Sequence, residues 1–189
     1  LEKNIYSIEP DQRIGTMFWF YWCFKLLNPQ DQIFTFHLNK KCMTSKGYAI
    51  SIDQGLTWQW ANPKTLKDNT ITFQAPTNAK EVILSLGMTY TLKNWQFFMQ
   101  NKKISNEISL ETLCTTRNGR SSPLLRIKRN KIPENKIIIT ARHHCCEMMA
   151  SYALEGMIDY VLQNSNIPDI QNIEFVFIPM VDLDGVEEG

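Results

Sequence analysis

The chain has 189 residues, of which 43% are hydrophobic and 21% are charged, a composition typical of a folded chain with one or two domains. Its 20 Lys and Arg residues nearly balance its 19 Asp and Glu residues. We therefore expect neither nucleic acid nor an anionic membrane surface as a partner. The most apolar segment, 17–27, is interrupted by Lys25 and is shorter than the ~20 residues that cross a bilayer.

The cysteines do not follow the pattern of a disulfide scaffold. There are five, namely Cys23, Cys42, Cys114, Cys145 and Cys146. Their number is odd, their spacing matches no framework, and a bridge between the adjacent pair would be strained. Free thiols are typical of a reducing compartment. The chain begins with Leu1 rather than Met, so we expect that sequence upstream of it was removed, and we assign no compartment.

The first hundred residues show the alternation of short β-strands. Strands are predicted over 17–27, 33–38, 48–53, 57–60, 71–75 and 81–88. Turns rich in Asn, Asp, Gly and Pro separate them, which favours an antiparallel β-sandwich. The aromatic run 18–22 could form a stacking platform for a sugar, but we expect alternate rings to fill the core.

The pattern changes after Thr89. A helix is predicted over 91–100, and the polar segment 101–107 follows it. Beyond this segment the predicted order is strand, strand, strand, helix, strand, over 109–115, 123–128, 136–141, 147–163 and 173–180. The last two strands and their helix form a βαβ unit, whose parallel strands we expect to be buried. The predicted fold class is α/β plus all-β, with a sandwich over 1–104 and a mixed-sheet α/β domain over 105–189.

Polar side chains follow both predicted parallel strands. One set lies at 143–147 and the other at 181–186. The carboxyl ends of parallel strands are where α/β folds usually place ligands. We therefore expect both loops to emerge at the same edge of the sheet.

His144 and Glu147 form a His-x-x-Glu pair in the first of these loops. Imidazole nitrogen and carboxylate oxygen are both zinc ligands, and a catalytic zinc site typically has three protein ligands. Neither other histidine is a convincing third ligand, because His37 lies in the predicted sandwich and His143 points away from its neighbour in strand geometry. From the motif alone the simpler interpretation is favoured, in which Glu147 opens the helix and His144 is a polar loop residue.

Several segments in order resemble the M14 metallocarboxypeptidases, most closely the cytosolic-carboxypeptidase-like branch. Residues 141–147, Ala-Arg-His-His-Cys-Cys-Glu, together with 150–156, are similar to the family's zinc-binding segment. The run 177–186 is similar to its Asn-Pro-Asp-Gly-Val segment, and 118–127 looks like its opening hairpin. The Asp-x-Gly-x-Thr-Trp pattern at 53–58 lies in a region similar to the β-sandwich that this branch carries before its catalytic domain.

The resemblance implies an enzyme, a zinc-dependent metallocarboxypeptidase that hydrolyses C-terminal residues from peptides or proteins. It implies one Zn²⁺ per site, with His144 and Glu147 as the first two ligands. In the family the third ligand, a histidine, the general-base glutamate and the oxyanion-stabilising arginine follow the Asn-Pro-Asp-Gly segment. We therefore assign no catalytic residue within the chain, expect these groups beyond Gly189, and expect the 189 residues alone to bind zinc weakly without turnover.

Further residues are predicted at the edge of the site, namely Arg142, Cys145, Cys146, Asp182 and Asp184. Two features depart from the family pattern: the two cysteines stand where Pro-Gly is common, and Asp-Leu replaces Asn-Pro. The cysteines allow a rival arrangement in which one thiolate joins a histidine around zinc. A buried, inert pair is the commoner role of such cysteines. The Asp-Gly dipeptide at 184–185 is predicted to be a turn.

Two other functions are left open by the sequence. The chain could be a binding module whose sandwich recognises a protein or glycan, with a vestigial metal edge. It could instead be a structural fragment whose second half comes from another chain. An incomplete parallel sheet would expose an unpaired edge, which predicts self-association.

Overall fold

A computed structural model describes residues 4–10, 20–39, 42, 47–102 and 105–189. The chain forms two compact units, Leu1–Thr89 and Tyr90–Gly189, and each has its own hydrophobic core. The predicted helix before residue 101 packs into the core of the second unit through Trp95 and Met99. The domain boundary that we predict between residues 104 and 105 stays a prediction.

Two four-stranded sheets make up the first unit. Its strands are β1 (Ile5–Ile8), β2 (Cys23–Leu27), β3 (Ile33–Leu38), β4 (Ala49–Ser51), β5 (Gln59–Trp60), β6 (Leu66–Lys67), β7 (Thr70–Gln74) and β8 (Glu81–Ser85), with a 3-10 turn at Pro63–Thr65. The orders of the strands in the two sheets are β1-β3-β7-β6 and β2-β8-β4-β5. All pairings are antiparallel among the described residues except that of β1 with β3.

The two sheets share one core, which confirms the predicted sandwich. Alternate residues of β3, including Phe36, are buried, as the period of a strand with one covered face requires. They belong to the same core as Val82 and Leu84 of the other sheet. The rings of Phe24 and Phe36 lie 4.8 Å apart across the sheets. Of the aromatic run, Trp22 is 2% exposed in this core, whereas residues 18 and 19 lie outside the described residues.

A mixed sheet with helices forms the second unit. Its elements are α1 (Leu92–Gln100), β9 (Ile108–Thr115), β10 (Ser121–Ile127), β11 (Asn135–Thr140), α2 (Met148–Gln163), α3 (Pro168–Gln171), β12 (Ile173–Ile178) and α4 (Leu183–Glu188). The strand order is β11-β12-β10-β9. β11 and β12 are parallel and the other pairs antiparallel, so the predicted βαβ unit and hairpin are confirmed. Among the described residues no helix has both the length and the apolarity needed to span a bilayer.

β11 is not buried as predicted. The central residues of β12 are buried, but most of β11 is exposed, and Ile138 is 61% exposed. The reason is its place in the sheet, since β11 stands at the edge with a neighbouring strand on one side. An apolar sequence predicts a strand, but it does not indicate whether that strand has a neighbour on both sides in the sheet.

The predicted turn at 184–185 is instead the first turn of α4. The Asp182 carboxylate caps this helix by accepting a hydrogen bond from the Gly185 N–H at 3.1 Å. Leu183 and Val186, three residues apart on one helical face, are buried in the core. A Cβ atom at Gly185 would clash with the Asp182 carboxylate, so glycine is required for the cap in its present geometry.

The Asp-x-Gly-x-Thr-Trp pattern forms a self-contained loop between β4 and β5. The Asp53 carboxylate accepts hydrogen bonds from the Thr57 N–H at 2.9 Å and from the Ser51 hydroxyl at 2.8 Å. The Trp58 indole N–H donates to the Gly55 carbonyl, and Gly55 has a left-handed φ of 81°. Desolvation alone would raise the pKa of Asp53, but the bonds from Thr57 and Ser51 hold this pKa below its ordinary value. The pattern is therefore explained by loop structure.

We expect Asp53→Asn to lower the free energy of unfolding by about 1 kcal/mol at pH 7, because the amide cannot accept all of these hydrogen bonds in this half-exposed loop. The folded-state pKa lies below the unfolded one, so the carboxylate stabilises the fold above pH ~4 and loses this effect as the pH falls through the folded value. Urea unfolding of wild type and variant at pH 7 and pH 3 measures both effects. Asp31→Asn, at an exposed position, is the control, and equal midpoints at pH 7 would contradict the prediction.

Two glycine substitutions should act in opposite directions. Gly185→Ala must displace the Asp182 carboxylate from its cap, and we expect it to destabilise the second unit by about 1 kcal/mol. Gly156→Ala lies at an exposed position within α2, with no atom near the added Cβ. It should stabilise by about 0.5 to 1 kcal/mol through helix propensity. Thermal unfolding of both variants tests the pair, and an unchanged or raised midpoint for Gly185→Ala would contradict the capping argument.

Candidate metal centre

Backbone hydrogen bonds bring the two predicted loops together beyond the ends of the parallel strands. The Ala141 N–H donates to the Ile178 carbonyl at 3.0 Å, and the Val181 N–H donates to the Ala141 carbonyl at 3.0 Å. The Asp182 N–H then donates to the Arg142 carbonyl at 2.9 Å. The two loops therefore lie side by side at one edge of the sheet, as the parallel strand pair predicts.

His144 and Glu147 converge in the first loop. The His144 Nδ1 lies 2.9 Å from the Glu147 Oε1, while the Glu147 Oε2 accepts a hydrogen bond from the His144 backbone N–H at 3.1 Å. The Glu147 N–H donates to the His144 carbonyl and closes the turn. Both side chains are open to solvent, at 75% and 46% exposure. The hydrogen bond between them raises the pKa of His144 and lowers that of Glu147 relative to their ordinary values.

This pair fits two positions of a zinc ion. Two ligands on a tetrahedral zinc, each about 2.0 to 2.2 Å from the metal, lie about 3.3 Å apart. The observed separation of 2.9 Å is close to that value, but it is a hydrogen-bond distance, so the two side chains must turn from each other toward a shared ion to bind it. Among the described residues, however, no group of three or more His, Cys, Asp and Glu side chains could hold a metal ion.

The other two histidines are engaged elsewhere. The His143 Nε2 lies 2.8 Å from the Thr140 hydroxyl at the end of β11. The His37 Nδ1 lies 3.1 Å from the Thr70 hydroxyl within the first unit. Neither ring is grouped with His144 and Glu147 as a ligand set among the described residues.

Cys145 and Cys146 are half-buried thiols. Burial raises the pKa of both, and the nearby charge of Asp182 raises that of Cys145 further. Cys145 also packs against the core of the second unit. Among the described residues neither thiol belongs to a group of three or more side chains that could hold a metal ion. The packing of Cys145 and the absence of such a group favour an inert role over the rival arrangement with a cysteine ligand.

The two predicted aspartates have different surroundings. Asp182 caps α4 and lies close enough to the turn for its charge to raise the pKa of His144. Asp184 instead accepts hydrogen bonds from the Thr116 hydroxyl at 2.8 Å and the Arg120 Nη1 at 2.7 Å, and from the Asn118 N–H. Although desolvation alone would raise the pKa of Asp184, these bonds hold it below the ordinary value. Asp184 thus ties the β9–β10 hairpin to α4.

Sequence reasoning missed this anchor and one further contact. Arg142 was placed at the edge of the site, but its side chain is inside the protein, at 3% exposure, where it donates to the Tyr90 carbonyl at 2.8 Å. Tyr90 in turn donates its hydroxyl proton to the Glu155 carboxylate at 2.6 Å. The sequence offered one signal for the role of Arg142, namely its position two residues before His144, the first predicted ligand.

Comparison with known proteins identifies a family. The profile of the Peptidase_M14 family, described as zinc carboxypeptidase, matches residues 95–189. Cytosolic carboxypeptidase 2 of Homo sapiens is 28% identical over 134 residues, which are 64% of this chain and 15% of that protein. Cytosolic carboxypeptidase 3 of Bos taurus is 30% identical over 131 residues, which are 64% of this chain and 13% of that protein.

Solved structures show the same fold. A putative carboxypeptidase A from Shewanella denitrificans superimposes with a TM-score of 0.73 at 20% identity and covers all of this chain, which covers 53% of it. A metallo-carboxypeptidase from Pseudomonas aeruginosa, solved with (2-guanidinoethylmercapto)succinic acid, gives a TM-score of 0.72 at 19% identity, covering 98% of this chain and 52% of its own. The chain thus spans about half of these structures and a much smaller part of the cytosolic relatives. It belongs to the M14 zinc carboxypeptidase family.

Proposed function

We propose that the chain is part of a zinc-dependent metallocarboxypeptidase that removes residues from the C-terminus of a peptide or protein, with His144 and Glu147 as two of its zinc ligands. The observation that carries the proposal is the 2.9 Å approach of the His144 Nδ1 to the Glu147 Oε1. It occurs at the sheet edge where α/β folds bind ligands, within the segment that matches the family.

The turn prepares both side chains for this role. Glu147 is held by the His144 N–H through one oxygen and faces the imidazole with the other. Its lowered pKa keeps it ionised at neutral pH, and metal binding would replace the proton that the pair shares. Zinc, when bound, polarises a substrate carbonyl and lowers the pKa of its water. The nearby Asp182 charge also raises the pKa of His144, and an acidic neighbour favours a cation at this pair.

The remaining catalytic groups are not assigned to residues of this chain. The family resemblance places a third ligand, a general base and an oxyanion-stabilising arginine after the segment similar to Asn-Pro-Asp-Gly. With two ligands, the chain alone should bind zinc weakly and should not turn over a peptide. The substrate proposed for the whole protein is a free peptide C-terminus, the substrate class that the family's carboxypeptidase activity implies.

Zinc titration of the purified chain against a chromophoric chelator tests the metal site. We expect one zinc per chain, and we expect His144→Ala and Glu147→Gln each to weaken binding by roughly tenfold or more, because each variant removes a ligand. His143→Ala is the matched control, since it removes the neighbouring imidazole, which is bonded to Thr140. Undiminished zinc binding by His144→Ala would show that the metal is held elsewhere. Absence of zinc binding by wild type even at millimolar metal would favour the alternative, a β-sandwich binding module with a vestigial metal edge.

The edge strand β11 supports a separate proposal about partners. β11 has a paired strand on one side in the sheet of the second unit, and Ile137 and Ile138 are exposed along it. Unpaired backbone groups beside apolar side chains are a template for pairing with another strand. We propose that two copies of the chain associate weakly through their β11 edges.

Sedimentation velocity over a range of protein concentrations measures this association. Ile138→Lys should weaken it by about tenfold, because it removes about 1.5 kcal/mol of apolar burial and adds a charge to the edge. Ile132→Lys replaces an even more exposed residue, at 87% exposure, in the loop before β11, and should leave association unchanged. Equal effects of the two substitutions would argue against pairing through β11.

A further inference from the structure

Arg142 occupies an unfavourable position for its residue type. It is the second residue after β11 and has a left-handed φ of 59°, a conformation that costs a non-glycine residue about 1 kcal/mol or more. Its side chain is buried, with 3% of the residue exposed, although a guanidinium is rarely buried unless it is paired. Both costs must be offset by the contacts that this conformation allows.

Those contacts join four parts of the second unit. The Arg142 Nη1 donates to the Tyr90 carbonyl at 2.8 Å, just before α1, and lies 3.4 Å from the Ser151 hydroxyl in the first turns of α2. The Nη2 donates to the carbonyl of Cys145, which lies between His144 and Glu147. On the backbone side, the Arg142 carbonyl accepts the Asp182 N–H at 2.9 Å. One residue therefore connects the ligand turn, the second loop and two helices.

We propose that Arg142 is a positioning residue for the metal site: its guanidinium fixes the Cys145 peptide and so keeps the His144 and Glu147 side chains close together in the turn. The inference rests on the proposed zinc site at this pair. In this role Arg142 supports the ligand turn from the protein interior and does not contact the metal or the substrate.

The sign of the charge separates this role from an electrostatic one. Arg142 is a buried cation close behind the turn, and a like charge disfavours a bound divalent cation. If its charge dominated, removing it would tighten zinc binding. If its hydrogen bonds dominate, removing them loosens the turn and weakens binding. A positioning role therefore predicts weaker zinc binding when Arg142 is replaced, whereas a purely electrostatic role predicts tighter binding.

Two variants of the full 189-residue chain test the proposal. Arg142→Met removes the charge and the hydrogen bonds, whereas Arg142→Lys keeps the charge and loses the planar fork that reaches Tyr90 and Cys145 together. We expect both to weaken zinc binding about 10- to 100-fold, the usual effect of removing a group that orients a metal ligand. We also expect the visible spectrum of bound Co²⁺, which reports ligand geometry, to change in Arg142→Lys. Arg126→Lys is the matched control, because Arg126 is paired with Glu111 and Glu174 on neighbouring strands of the same unit.

The outcomes are distinguishable. Unchanged or tighter zinc binding by Arg142→Lys and Arg142→Met overturns the positioning role. A loss of affinity that only follows a loss of folded protein in circular dichroism, with an unchanged Co²⁺ spectrum, also overturns it, since that result describes a purely structural residue. If His144→Ala binds zinc as well as wild type, the proposed metal site itself fails. Binding that depends on His144 but not on Arg142 rejects the further inference alone.

Discussion

The parallel pairing of β11 with β12 is the constraint on which the candidate site depends. Its register runs from Asn135 opposite Ile173 to Thr140 opposite Ile178, and backbone hydrogen bonds continue it through Ala141 and Arg142 into the second loop. A shift by one residue would turn every side chain of β11 to the other face of the sheet. The register therefore decides which residue after the strand is buried and which ones reach solvent. It also sets where the second loop meets the first, and hence where Asp182 can cap α4 beside the turn.

Charges around this edge are arranged so that each carboxylate has a different role. Asp184 is neutralised by Arg120 and bonded to the hairpin, so it holds α4 in place. Glu147 faces the His144 imidazole, the pair proposed to bind the metal. Asp182 is bonded to the backbone of α4, and its charge still acts on His144.

Much of this architecture could be predicted from the sequence, because the residue patterns identify β9, β10, β12 and α2 to within two residues at each end. α4 could not, since its six residues are too few for a periodic signal and its start depends on Asp182 reaching Gly185. The exposure of β11 follows from its place in the sheet, which its own residues do not encode.

The burial of Arg142 could not be predicted from the sequence for a similar reason. A charged residue in a polar loop is expected to face solvent. The carbonyl groups of Tyr90 and Cys145, one distant and one near in sequence, help to make the interior position of Arg142 acceptable. The sequence therefore indicated the proposed ligand pair, His144 and Glu147. The contacts that hold their turn in place could be seen only in the tertiary structure.

The support matters because this turn lacks the residues that would stiffen it by themselves. Where the family commonly has Pro-Gly between the ligands, this chain has two cysteines, which restrict the backbone far less than proline does. Rigidity must then come from interactions outside the turn. Cys145 supplies part of it by packing its side chain against the core, and its carbonyl supplies more by accepting the buried guanidinium of Arg142. A turn held in this way brings the imidazole and carboxylate together before any metal arrives, so that binding need not order the two side chains. The side chain and the carbonyl of Cys145 are thus both held by groups outside the turn, the first by the core and the second by the Arg142 guanidinium.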